Sequence, residues 1–149
     1  LVKCQKYLYI PEKYYYVYET PTSASRSNYS EKKWDDCKFA NAFIEELITT
    51  ECPEYIDYVY YKNVYTSKYA YCSIEGLKSV PGRKEIMDES LSIFKKYFPL
   101  FRQSVYFQNI SHSQKMAFSC FGALPRLYSK YLRSKNHIIK LLRTVKYRK

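Results

Sequence analysis

Five cysteines and two histidines are the side chains of this sequence that could serve as thiol nucleophile, imidazole base or soft metal ligand. The cysteines stand at 4, 37, 52, 72 and 120, with no C-x-x-C pair among them, and only His112 and His137 add imidazole. That inventory predicts no zinc site and no other metal centre. Thiol catalysis needs a cysteine, a histidine and an orienting group held together. His112 and Cys120 fall in one expected helix, eight residues or about 12 Å apart along its axis, which is out of reach. A pairing across the chain, such as Cys37 with His137, is left open by the sequence. Acids occur side by side as Asp35-Asp36, Glu45-Glu46 and Asp88-Glu89. Neighbours on a helix diverge by about 100°, so none of these is a ready acid/base pair. No G-x-S-x-G, H-E-x-x-H or Walker motif is present, and three glycines in all argue against a phosphate-cradling loop. No cofactor is expected, and a small hydrolase or transferase is the last of three functional readings.

The other chemistry open to the cysteines is cross-linking. Single cysteines scattered through a tyrosine-rich, basic chain fit an oxidising compartment, so the expectation is a secreted protein with two disulfides. Pairing Cys52 with Cys72 would close the tyrosine-rich middle segment, and Cys4 with Cys37 would staple the N-terminal part, leaving Cys120 as the buried free thiol. Spacing alone also permits other pairings. The chain opens Leu-Val-Lys-Cys rather than with Met, which fits a processed or trimmed product. Asn28-Tyr-Ser and Asn109-Ile-Ser match the glycosylation acceptor pattern, a short motif that also arises by chance.

Charge gives the sharper signal. No Asp or Glu follows Glu89: residues 90–149 carry thirteen basic side chains and a formal +13, whereas residues 1–89 sum to −2. Asymmetry of this kind points to a polyanion or membrane partner. The candidate binding residues are Arg126, Lys130, Arg133, Lys140, Arg143, Lys146, Arg148 and Lys149. Their partner is expected to be a polyanion (a sulfated glycan, a nucleic acid or an anionic lipid surface) or an acidic protein. The leading reading is therefore a secreted, non-enzymatic binding protein. An intracellular nucleic-acid-binding protein of the cytoplasm or nucleus is the alternative, although no zinc-finger spacing or RNP-type sequence supports it.

These side chains need elements to position them. The length suits a single domain over 1–149, and no run approaches eighteen apolar residues, so no transmembrane helix is expected. The fold class expected is α+β, with short tyrosine-rich strands in the N-terminal half and helices dominating after residue 80; an all-α fold is the alternative. Residues 1–19 read as two strands around Pro11, and 20–30 as a mobile Ser/Thr-rich loop. Ser30 caps a helix over about 33–50 that Pro53 ends. The stretch 54–74 is rich in Tyr, Val and Thr and its polar residues scatter around a helical wheel, so strands are expected, with a turn at Lys62-Asn63.

From Pro81 onward the periodicity is helical, with Pro99 ending one helix and Ser111 to Gln114 forming a capping box for another. A basic helix over 125–147 starts at Pro125, and Asn136-His137 is its weak point. Its Leu127, Tyr131, Ile138, Leu142 and Val145 form one stripe, with Leu124, Tyr128, Leu132, Ile139 and Leu141 beside it, expected to pack on the core with the cations facing away. Trp34, Phe43, Ile44, Leu47, Leu91, Phe94 and Phe98 are the expected core.

Overall fold

The computed structural model describes the backbone of residues 29–77 and 79–146, with side chains through 139. Six α-helices account for most of it: α1 Glu31–Glu51, α2 Ile56–Glu75, α3 Arg83–Gln103, α4 Val105–Asn109, α5 His112–Ala123 and α6 Pro125–Lys146. A short 3-10 turn, Pro53–Tyr55, joins α1 to α2. No described residue is in a strand, so the α+β expectation is corrected to all-α. The two strands expected in 1–19, most of the 20–30 loop, and Cys4 lie outside the described residues.

The segment 54–74 is where the expectation fails, and the reason is physical. In α2 the buried positions are Val59, Asn63, Val64, Ser67, Ala70, Tyr71 and Ile74, a helical spacing. Two of them are polar, which breaks the hydropathy period. Their polar atoms are satisfied locally: Asn63 Nδ2 donates to the Val59 carbonyl (3.1 Å) and Ser67 Oγ to the Asn63 carbonyl (2.6 Å). Meanwhile Tyr58, Tyr65 and Tyr69 lie on the outer side, Tyr65 and Tyr69 exposed over more than half of their surface. With polar residues inside and aromatic ones outside, the wheel looks featureless although the helix is regular.

Each helix runs antiparallel to the one before it in the main stack. Tyr60 meets Tyr97 and Tyr61 meets Phe101 between α2 and α3, and Asn41 donates to Asn63 between α1 and α2. Phe94 and Phe101 of α3 meet Phe121 and Phe118 of α5 edge to face. Arg83 closes the α2–α3 connection by donating to the carbonyls of Ile74 and Glu75 at the end of α2. Polar ties join α1 to α3: Trp34 Nε1 donates to Glu89 (2.6 Å), which also accepts from Lys38, and the Tyr97 hydroxyl donates to Glu45.

Local signals in the sequence hold at several termini. Ser30 caps α1 by accepting from Lys33 N, and the Ser111–Gln114 capping box opens α5. Pro99 does not end its helix. It sits on the exposed side of α3, where its preceding turn faces water, while Phe94, Tyr97 and Phe101 bury the opposite side and carry the helix to Gln103. Of the expected core, Trp34 and Phe94 are buried, and Ile44, Leu47, Leu91 and Phe98 are half-buried. Phe43 is 58 % exposed, because Trp34, Asn41 and Ile48 set the buried side of α1 and Phe43 falls opposite them with Phe39.

Candidate interaction site

The C-terminal helix is one unbroken element, α6, and the expected break at Asn136-His137 does not occur. Its docking side differs from the one its sequence predicts. Contact with the body runs through Ser129, fully buried, flanked by half-buried Tyr128 and Leu132. Ser129 Oγ reaches Glu75 Oε2 (3.1 Å) and the Cys72 carbonyl (3.5 Å), and Arg133 forms an ion pair with Glu75. The Arg133 stem also covers Gly76, where a Cβ would stand 3.2 Å from its Cδ. A small residue lets α6 approach α2 closely at this point, and the polar ties fix its rotation. Phe121 of α5 meets Tyr128 edge to face at 5.9 Å.

The consequence is that the apolar row expected inside faces outward. Leu127 and Tyr131 are each 60 % exposed and Ile138 56 %, with Leu124 equally open. Beside them α5 presents Met116, also exposed, and the two helices enclose an apolar groove of about 650 Å³ lined by Met116, Cys120, Leu124, Leu127, Tyr131 and Lys135 among others. From Arg133 to Ile139 every residue is exposed, so beyond the Arg133 contact this part of α6 is open to water.

The expected binding cations divide accordingly. Lys130 is exposed. Arg126 is exposed and its guanidinium partly offsets the upward push that burial gives the Tyr71 hydroxyl. Arg133, expected to be free, is tied to an acid from the N-terminal half. Lys140, Arg143 and Lys146 belong to α6, and Arg148 and Lys149 lie outside the described residues. Lys135, absent from the expected set, stands at the groove edge. Its position one turn from Tyr131, at the margin of the apolar row, is the sequence signal that marks it. Under the junction of α2, α5 and α6, Lys68 Nζ sits 4.4 Å from the Phe118 ring centre and 5.2 Å from that of Tyr128. Burial lowers its pKa there, opposed by the nearby Cys72.

The disulfide expectation is overturned. Cys37, Cys52, Cys72 and Cys120 are all free thiols. Cys52 precedes α2 and Cys72 lies sixteen residues beyond Ile56, so the helix separates them by at least about 24 Å, against the ~4–7 Å between Cα atoms that a disulfide needs. Cys72 is instead half-buried against Lys68 and Ser129, and burial pushes its thiol up to about 11. Cys120, expected to be buried, is exposed at the groove. Among the described residues no group of three His, Cys, Asp or Glu could hold a metal ion, and no helix is long and apolar enough to cross a membrane.

Comparison of the chain with protein-family models, with curated proteins and with solved structures finds no match.

Proposed function

We propose that this chain is a binding protein whose α5–α6 face engages an anionic partner. One observation carries the reading: an exposed apolar row on α6, bordered by exposed lysines, within a sixty-residue stretch that contains no acid. A helix that merely covered a core would turn its apolar row inward and mix charge signs on its outer face. α6 does neither. Because Arg133 is occupied by Glu75, attraction of a partner falls to the free cations, of which Lys130 and Lys135 are exposed.

The test is retention on heparin and binding to duplex DNA, at matched ionic strength, for the natural chain and for Lys130→Glu with Lys135→Glu. Both positions are exposed, so helix content should stay unchanged while binding weakens. If both lysines contact phosphate, the slope of log affinity against log salt on duplex DNA should flatten by about 1.8. Equal retention of the two proteins, or no retention at physiological salt, would remove the α5–α6 face as an anion-binding surface.

A further inference from the structure

Resting on the reading above, we infer that the anionic partner is a lipid bilayer surface, with α6 lying lengthwise in its headgroup layer. Charge alone does not select among polyanions, but the apolar row does. Leu127, Tyr131 and Ile138 are all exposed and extend over about 16 Å of α6, with Leu124 exposed just before the helix starts. A nucleic acid or sulfated glycan would satisfy the lysines and leave that row in water. A second copy of this chain would bring +11 against +11. An acidic amphipathic helix would fill the groove between α5 and α6, yet the row continues past the groove to Ile138, where no second wall borders it among the described residues. A single convex helix edge suits a plane better than a rod.

The flanks agree. Relative to Leu127, Lys130 is turned by about 60° to one side and Lys135 by about 80° to the other, so a cation borders the row on both sides. Long lysine stems can lie along the apolar boundary while their ammonium groups reach phosphate. Tyr131, with an apolar ring and a polar tip, suits the same depth. Met116 of α5 adds apolar area beside Leu124 and widens the contact.

The experiment uses the full chain with vesicles of phosphatidylcholine alone or with a minority of phosphatidylserine, and a Tyr131→Trp variant. Co-sedimentation should require the anionic lipid. Each lysine near an anionic surface contributes about fivefold to partitioning, so Lys130→Ser with Lys135→Ser should lower it by roughly 25-fold. Leu127→Ser with Ile138→Ser should lower it at least about tenfold through lost apolar burial. The indole introduced by Tyr131→Trp should shift to the blue on binding and be quenched by spin labels on the acyl chains. Trp34, the only tryptophan of the natural chain and a buried one, reports that each variant remains folded. Heparin and DNA binding without vesicle binding would overturn the lipid inference and leave the anionic-partner reading standing. Vesicle binding without acyl-chain quenching would overturn it too, as would capture of an acidic amphipathic peptide without vesicle binding. Failure to bind any of these anions would remove both readings.

Discussion

At the level of single residues, identity matters less than which side of its helix a side chain occupies. Phe94 and Phe43 are the same residue on well-formed helices. Phe94 is fully enclosed, 4.8 Å from the Phe98 ring centre and 4.7 Å from that of Phe121, whereas Phe43 faces water. Phe94→Ala should cost about 3–5 kcal/mol in urea unfolding, because a ring-sized cavity opens between α3 and α5. Phe43→Ala should stay within about 0.5 kcal/mol. Equal effects for the two would mean that the buried side of α1 or of α3 is misassigned. The cysteines follow the same logic. Half-buried Cys72, with its thiol pushed up to about 11, is almost wholly protonated at neutral pH and makes a poor nucleophile.

Among the elements, α6 is held by a narrow seam. Ser129, Tyr128 and the Arg133–Glu75 pair secure its first half, and residues 134–139 touch water all round. The Glu75 carboxylate is largely buried while the Arg133 side chain is 44 % exposed, so solvent screens the pair from one side only. A double-mutant cycle on Glu75→Gln and Arg133→Gln should give a coupling of about 1 kcal/mol, above the usual surface pair and below a fully buried one. A coupling indistinguishable from zero would mean the pair does not set the orientation of α6. Much of this architecture was readable beforehand. Ser30, Pro53, Ser111–Gln114 and Pro125 mark helix ends through local chemistry, which a sequence carries intact. What could not be read was facing. Asn63 and Ser67 are buried because each bonds a carbonyl one turn back, and Leu127 and Tyr131 are exposed because Glu75 and Gly76 lie under Arg133 and Ser129. The first is local but puts polar residues on the buried side, which hides the hydropathy period; the second depends on partners 54 residues away along the chain. The candidate site was legible in its charge and its helix, and hidden in its orientation.

For the molecule as a whole, the abundance of tyrosine sets how stability responds to base. Tyr29, Tyr61, Tyr71, Tyr97 and Tyr128 all have hydroxyl pKa values raised above the ordinary 10.0, each chiefly by burial. Above pH 10 the unfolded chain gives up protons that the folded chain keeps, so the unfolded state binds fewer and stability falls as pH rises. That contribution is whole below about pH 10 and disappears as pH climbs through the raised folded values. Lys38 and Lys96 act in the same direction: burial disfavours the Lys38 charge but Glu89 and Asp35 outweigh it, and Lys96 is held by the Tyr97 hydroxyl. Lys68, its pKa lowered by burial, opposes them as a single amine. Thermal melts followed by circular dichroism should lose midpoint steeply above pH 10, with part of the phenolate absorbance appearing only as helix is lost. A flat midpoint, with all nineteen tyrosines ionising in one step at the ordinary value, would contradict the aromatic packing.

Gly122 gives the same architecture a mechanical meaning. A Cβ there would stand 3.3 Å from Phe94 Cε1 and 3.5 Å from Phe98 Cε1, so the glycine fixes how closely α5 seats on α3. Three residues later the chain turns at Pro125 into a helix of 22 residues, about 33 Å long. The first half of α6 is pinned to α2 at Ser129 and Arg133, so the free arm is the stretch beyond, residues 134–146, about 20 Å long: a rotation of about 5° of the helix about that seam moves the tip by roughly 2 Å. A methyl group pressed between two phenylalanine rings at Gly122 would therefore load the seam before it displaced the far end of the basic helix.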